Sequence, residues 1–121
     1  MGYYKNLRAW QDGIDLATEI YQLTNTEKFS HDFGLKDQIR GAAVSIPSNI
    51  AEGEERESVR ENIRFLNIAK ASGAEVVTQL HIAHRIGYID QKTLNVLEDR
   101  SEKIIASIKN LIRFKIKKLQ T

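Results

Sequence analysis

Residues 58–87 read SVRENIRFLNIAKASGAEVVTQLHIAHRIG, and this stretch decides the fold class. Its apolar residues recur at steps of three and four, which is the spacing of one face of an α-helix. The apolar stripe lasts about seven turns, on Val59, Ile63, Leu66, Ala69, Gly73, Val76, Leu80 and Ala83. The pattern predicts one long helix that starts near Ser58 and ends at Gly87.

Helical spacing extends over the rest of the chain as well. A first helix is predicted over 6–25, and a second from Leu35 to Gly53, with Gly53 as its C-cap. Between them TNTEKFSHDFG is polar and predicts a loop that contains a helix cap at Ser30 or Asp32.

The last helix is predicted to start at Asp90, a capping residue, and to carry an apolar stripe as far as Leu119. The connections at 54–57 and 87–90 are short, which predicts antiparallel neighbours. A chain of 121 residues is the usual size of one domain. We therefore expect residues 1–121 to form a single all-α domain, an up-down-up-down antiparallel four-helix bundle.

Pro47 is the only proline, and it lies inside the second predicted helix. It has no N–H to donate to the carbonyl of Ala43, and its ring crowds that carbonyl. Ser45, Ser48 and Asn49 are residue types that bond freed backbone groups. The alternatives are a kinked helix and a helix that restarts at Ile46 or Pro47. Because the apolar face continues across the proline, we predict a helix kinked at Pro47.

Charge is unevenly distributed along the chain. Residues 1–60 hold seven Lys/Arg and ten Asp/Glu, whereas residues 61–121 hold eleven and six. No acidic residue follows Glu102. One interpretation is a surface for a polyanion such as nucleic acid. The other is a helix C-terminus whose cations complement the helix dipole. For nucleic acid the candidates are Lys109, Arg113, Lys117 and Lys118, with Lys36 and Arg40 as further candidates.

The long third helix has a second apolar line beside its main stripe, on Phe65, Ile68, Ser72 and Ile82. A helix that is apolar on two sides usually buries both. This line predicts either a contact with a partner subunit or a wide core stripe. The candidate residues for a subunit interface are Phe65, Ile68, Ile82 and Trp10.

Several functional classes find no support in the sequence. Cysteine is absent, which excludes disulfides, thiolate metal sites and a thiol nucleophile and fits the cytoplasm. No signal peptide or membrane span is predicted. His81 and His84 lie one turn apart but lack the Glu-x-x-His pattern of di-iron bundles. We expect no enzyme activity and no cofactor.

The motifs of the first half match a known family in order. They are Phe33-Gly34-Leu35, Gln38-Ile39-Arg40, Ser45-Ile46-Pro47 and Asn49-Ile50-Ala51-Glu52-Gly53. With them, the region from Trp10 to Ile89 resembles the 23S rRNA intervening-sequence proteins, small bacterial four-helix bundles. A related branch is the accessory variability protein of diversity-generating retroelements, a basic pentameric barrel that binds nucleic acid and a reverse transcriptase.

The resemblance implies a four-helix bundle and a ring-like homo-oligomer, most often a pentamer. Many members carry a second basic residue after the position matched by Arg40, whereas this chain has Gly41. Asn49, Glu52 and Arg56 match the family motif, and they are expected at the corner between the second and third helices or at a subunit contact. The expected partners are further copies of the chain and RNA or DNA, or instead a protein partner of a structural scaffold.

Overall fold

The computed structural model describes residues 3–120, and between these residues the chain forms helices and no strand. The elements are a 3₁₀ turn at Tyr3–Asn6, α1 at Arg8–Leu23, α2 at Glu27–Ser30, α3 at Phe33–Glu55, α4 at Val59–Arg85 and α5 at Gln91–Leu119. The predicted all-α class is therefore confirmed, and the four long helices are those expected from the apolar spacing.

Helices α3 and α4 run in opposite directions, as their contacts show. The end of α3 meets the start of α4, where the Asn62 amide bonds the Gly53 carbonyl. Half-way along, the Ser45 and Ser72 hydroxyls are 2.8 Å apart. Helices α4 and α5 are likewise opposed, since Asn62 at the start of α4 bonds Lys115 near the end of α5, and His81 near the end of α4 bonds Glu98.

Helix α1 packs along α3 and also contacts α5. Gly13 of α1 lies against the ring of Pro47, and Thr24, at the end of α1, accepts a hydrogen bond from Arg40. The long helices thus surround one core in the order α1, α3, α4, α5. Its fully buried large side chains include Leu16, Ile20, Phe29, Ile39, Ile46, Ile50, Leu66, Leu80, Ile104 and Ile108.

The segment predicted as a loop between the first two long helices contains one helical turn, α2. The reason is Phe29, which is fully buried and packs on Tyr88 at 5.2 Å between ring centroids. Of the two predicted caps, Asp32 is confirmed, because its carboxylate accepts from the Leu35 N–H at 3.1 Å. Ser30 instead donates to the Glu27 carbonyl.

Gly53 is not a C-cap, so that prediction was wrong: α3 continues to Glu55, and Arg56 is its cap residue. The glycine serves close packing, since a Cβ there would lie 3.0 Å from Cβ of Phe65. Gly87 does end its helix region, with φ of 84°. Asp90 caps α5, and the hydrogen bonds from Thr93 lower the pKa of its carboxyl.

Pro47 is buried inside an uninterrupted α3, with its ring against Gly13. Asn49 donates to the Ser45 carbonyl, one turn back along the helix. A change of axis direction at Pro47 stays a prediction. Across residues 3–120, none of the helices is long and apolar enough to cross a membrane.

Candidate functional site

The outer face of α5 carries a row of cations. Lys109, Arg113 and Lys117 are exposed and spaced by four residues, so they project from neighbouring turns on one side. The row faces outward because Ile104, Ile108 and Ile112 on the opposite side are buried in the core. Arg113 donates to Asn110 at 3.0 Å. Lys118 is also exposed, and its ammonium lies 4.8 Å from the ring centre of Phe114.

Lys115 belongs to the same basic segment but points into the bundle. Its ammonium donates to the Glu54 carboxylate at 2.8 Å and to the Asn62 side-chain carbonyl at 3.3 Å. The side chains of Lys115 and Glu54 are each only 12% exposed. This lysine therefore ties α5 to α3 and α4 and is not available to an external polyanion.

Helix α4 adds cations at the same end of the bundle. The contact between Asn62 and Lys115 places the first turns of α4 level with the last turns of α5. Arg60 and Arg64 are exposed there, and Arg64 pairs with Glu61 at 3.2 Å. The cations at this end thus come from two helices, and they lie at the same end as the carboxylates of Glu52, Glu54 and Glu55 of α3.

Arg40 and Lys36 lie elsewhere. Arg40 donates to the Thr24 hydroxyl at 2.7 Å and to the Asn25 side chain at 3.0 Å, so it holds the end of α1. Lys36 donates to the Ser30 carbonyl at 3.3 Å. Arg40 is separated by roughly 20 Å of helix from Gly53, which lies at the same end of the bundle as the last turns of α5. The structure therefore does not bring these two residues together with the α5 row.

The four candidate interface residues fall on three different surfaces. Ile68 and Ile82 are exposed on the outer face of α4. Phe65 is half-buried between the guanidinium groups of Arg56 and Arg64, which lie 4.8 and 4.7 Å from its ring centre.

Trp10 lies on α1, where it packs edge-to-face with Tyr4 at 5.6 Å. It lines an apolar groove of about 330 Å³ between α1 and α3, together with Ile14, Ala17, Val44, Pro47, Ser48 and Ala51. Trp10 is therefore on a different face of the bundle from Ile68 and Ile82.

The motif residues of unassigned role build the joint between α3 and α4. Asn49 donates to the Ser45 hydroxyl at 2.8 Å, and that hydroxyl bonds Ser72 of α4. Glu52 accepts from Arg56 at 3.1 Å, and Arg56 covers Phe65. Asn49 thus contacts the middle of the α3–α4 seam, whereas Glu52 and Arg56 make their contacts at its corner.

The histidines show no metal geometry. His81 lies 3.1 Å from the Glu98 carboxylate, on the seam between α4 and α5. Among residues 3–120, no group of three or more His, Cys, Asp or Glu side chains is arranged to hold a metal ion.

The family model of the 23S rRNA-intervening sequence proteins matches residues 5–110. The chain belongs to this family. A solved structure of the S23 ribosomal protein family, from Bacteroides thetaiotaomicron VPI-5482 and described as a protein with unknown function, is similar. Its identity to this chain is 25%, its TM-score is 0.80, and the match covers 86% of this chain and 97% of that one. No curated protein matches the chain.

Some of the candidate surfaces lie inside the region that the family model matches, residues 5–110, and others lie beyond it. The α3–α4 joint and the exposed face of α4 lie inside the matched region, and so does Lys109. Arg113, Lys117 and Lys118 lie beyond it. Membership in the 23S rRNA-intervening sequence family therefore supports the bundle and carries no information about most of the α5 row.

One central residue was missed by the sequence interpretation. The buried Asn62 amide donates to the carbonyls of Gly53 and Arg56, which are at the end of α3. A signal was present, since Asn62 precedes Leu66 by four residues and so falls on the apolar face of α4. A polar residue on a core face usually has a hydrogen-bonding partner in the fold.

Proposed function

We propose that this member of the 23S rRNA-intervening sequence family is a non-enzymatic homo-oligomer that binds RNA or DNA through the α5 row. The observation that carries the proposal is the exposed succession of Lys109, Arg113 and Lys117 on one side of α5. No acidic residue follows Glu102, so the last turns of the helix carry no negative charge of their own. The cytoplasm, where nucleic acid is accessible, is the expected compartment.

Binding would be driven by neutralisation of phosphates and release of their counterions. Each phosphate neutralised adds roughly 0.7 to 0.9 to the slope of log affinity against log salt. Side chains spaced by four residues advance about 6 Å along the helix per step. The row therefore tracks a backbone and favours binding without base readout, because it provides charges and no groove-reading helix end.

Self-association would strengthen such binding. The exposed Ile68 and Ile82 share the outer face of α4 and favour contact with another copy, since exposed apolar side chains gathered on one face mark interaction sites. A ring, which the family resemblance suggests has five copies, presents the α5 row several times. Several weak contacts on one nucleic acid then raise the overall affinity well above that of a single row.

The absence of an enzyme activity is part of the proposal. Between residues 3 and 120, no metal-binding group of acidic and histidine side chains is present. His81, the histidine with a carboxylate partner, contacts Glu98, and the side chains of both residues are partly exposed. These observations support a binding role over a catalytic one.

A scaffold that binds a protein partner is the second candidate. It is favoured by Ile86, which is exposed beside Ile82 and lengthens the apolar face of α4. If the protein is such a scaffold, the cations of α5 keep the helix end soluble and complement the helix dipole.

The test is light scattering on the size-exclusion peak, with and without a short structured RNA, combined with RNA binding at several salt concentrations. We expect a multi-chain mass that rises with RNA at low salt. The variant in which Lys109, Arg113, Lys117 and Lys118 are all replaced with Ala should lose RNA binding and keep its helicity.

A matched control removes the same charge elsewhere, by replacing the exposed Lys5, Arg8, Lys28 and Lys92 with Ala. The control should retain most of the affinity. Equal losses in the two variants would show that net charge, and not the α5 row, governs binding. A multi-chain wild-type protein that binds no RNA would support the scaffold instead.

A further inference from the structure

Phe114 is an exposed aromatic ring inside the basic segment of α5. It is 55% exposed, whereas Phe29 is fully buried in the core and Phe65 is half-buried under two guanidinium groups. About half of the residue thus faces water and is open to a ligand. Phe114 also lies beyond residues 5–110, so the family match does not account for it.

Polar and cationic side chains surround this ring on the helix surface. Asn110 precedes it by one turn, and Lys117 and Lys118 follow it by one turn, so all three share its side of α5. The Lys118 ammonium lies 4.8 Å from the ring centre. Arg113, the neighbour of the ring in sequence, donates to Asn110 at 3.0 Å. This bond limits the freedom of the guanidinium before a ligand arrives.

The carboxylates at this end of the bundle lie on elements other than α5. Those of α3 lie diagonally across the bundle, since α3 packs beside α1 and α4. Glu54 pairs with Lys115 on the core side of α5, and Glu61 pairs with Arg64 on α4. On α5 itself the acid nearest to the ring in sequence is Glu102, about 18 Å away along the axis. The stretch of α5 that carries the ring is therefore cationic.

We propose that the α5 row binds single-stranded nucleic acid, with a base stacked on Phe114 and phosphates held by the cations around it. The proposal rests on the proposed function and names the class of nucleic acid. Proteins that bind single strands without sequence preference combine a cationic track with aromatic side chains. Every base has a π-face, so stacking requires no contact with base edges and agrees with a helix that reads no groove.

The ring makes the difference between a single strand and a duplex. A duplex carries more negative charge per unit length than a single strand, so a row of cations alone would bind the duplex at least as tightly. The bases of a duplex are stacked on one another, whereas those of a single strand can be splayed out onto an aromatic side chain. A preference for single strands would therefore report on the ring and not on the charges.

The test measures how tightly the whole chain binds a short oligouridine and the duplex of oligouridine with oligoadenine. Fluorescence anisotropy at several salt concentrations gives both affinities. The variants are Phe114→Ala and Phe114→Leu, which keeps an apolar side chain without the ring. Phe33→Ala is the matched control, because Phe33 is 67% exposed and has the Lys36 ammonium 4.8 Å from its ring centre. Phe33 starts α3, about 30 Å along that helix from Gly53.

We expect the wild type to bind the single strand more tightly than the duplex. Phe114→Ala and Phe114→Leu should each weaken single-strand binding, the alanine variant by at least about fivefold. Their slope of log affinity against log salt should stay unchanged, because no charge is removed. Lys117→Ala should instead lower that slope by roughly 0.7. Phe33→Ala should change neither quantity.

A second readout detects the stacking itself. The fluorescence of Phe114→Trp should be quenched when oligouridine binds, because the indole ring stacks on a base. The wild type is the control, since its tryptophan, Trp10, lines the groove between α1 and α3. Quenching of equal size in both proteins would overturn the proposal.

The outcomes also separate this proposal from the proposed function. A wild-type protein that binds neither nucleic acid would remove the proposed function, and the stacking with it. Equal single-strand affinity of the wild type and Phe114→Ala, or tighter binding of the duplex, would overturn the stacking and leave binding through phosphates in place. Unchanged circular dichroism of Phe114→Leu will verify that a loss of affinity belongs to the ring and not to the fold.

Discussion

The seam between α3 and α4 and the seam between α1 and α5 are built from different residues. In the first, Gly53, Ser45 and Ser72 let the helices approach closely, and Asn62 joins their backbones. In the second, grooves remain open between the helices, and one of them is lined by Asp12, Asp15, Glu19, Arg100, Lys103 and other residues. The ion pair between Glu19 and Arg100 crosses this second seam.

The difference teaches where the stability of the bundle resides. Small side chains and buried hydrogen bonds leave no room for water at the α3–α4 seam. A substitution there therefore lowers the free energy of unfolding without compensation by solvent. Charged side chains at an open seam keep part of their hydration and contribute little when paired. Changes along the α3–α4 seam should therefore cost more than changes along the α1–α5 seam.

Asn62→Ala is expected to have the largest effect. It leaves the carbonyls of Gly53 and Arg56 without their side-chain donor and removes an acceptor from Lys115. The Gly53 carbonyl keeps the Arg56 N–H as a donor. The free energy of unfolding should fall by about 2 to 3 kcal/mol, because each buried polar group that loses its partner costs about 1 to 3 kcal/mol. Urea denaturation measures the loss.

Asn67→Ala is the matched control for that variant, since Asn67 is exposed on the same helix and donates only to the Ile63 carbonyl. Its effect should stay within about 0.5 kcal/mol. Similar losses at both asparagines would contradict the view that α3 and α4 are joined through Asn62.

Gly53→Ala tests the close packing of the same seam. The new methyl group would lie 3.0 Å from Cβ of Phe65 and 3.2 Å from the Asn62 carbonyl oxygen, so it must displace backbone. We expect a net loss of about 1 kcal/mol from overpacking. Gly41→Ala on the same helix meets nothing within 4 Å. It should instead stabilise by about 0.5 to 1 kcal/mol, and thermal unfolding of both variants would reveal the opposite signs.

Tyr88→Phe tests the far end of the α3–α4 seam through pH. The Tyr88 hydroxyl donates to Asp32 at 2.9 Å, and this hydrogen bond raises the pKa of Tyr88 above the ordinary 10.0. A raised pKa in the folded state gives stability that is present in full below the ordinary value. That stability is lost as the pH rises through the folded value.

The wild-type protein should thus be more stable than Tyr88→Phe at neutral pH, and the difference should shrink as the pH rises above 10.0. Denaturant titrations of both proteins, from neutral pH to above 10.0, measure this stability difference. Tyr4→Phe is the control at another tyrosine. If the stability difference between the wild type and Tyr88→Phe stays constant above pH 10.0, the Tyr88 hydroxyl proton does not contribute to the contact with Asp32.

Arg100→Ala should have the smallest effect, because it removes only the ion pair across the open α1–α5 seam. We expect a loss below about 1 kcal/mol that disappears at high salt. Lys103→Ala is the comparison, since it breaks an ion pair with Asp99 within α5 itself. A loss at Arg100 as large as that at Asn62 would remove the contrast between the two seams.

The candidate surfaces were predictable only in part. The row on α5 follows from spacing alone, because Lys109, Arg113 and Lys117 must share a side of any helix. The inward turn of Lys115 was not predictable, since it depends on Glu54, which is 61 residues away in sequence. Arg40 is a similar case, because its partner Thr24 is brought to it by the packing of α1 on α3.

The sequence by itself determined the all-α class, the four long helices and the caps at Asp32 and Asp90, because these depend on spacing and on neighbours within one turn. Tertiary structure alone decided the turn around Phe29, the role of Gly53 and the separation of Trp10 from Ile82. Each of these depends on which helices face one another. That arrangement is set by the shape and burial of side chains distant in sequence, which no local pattern records.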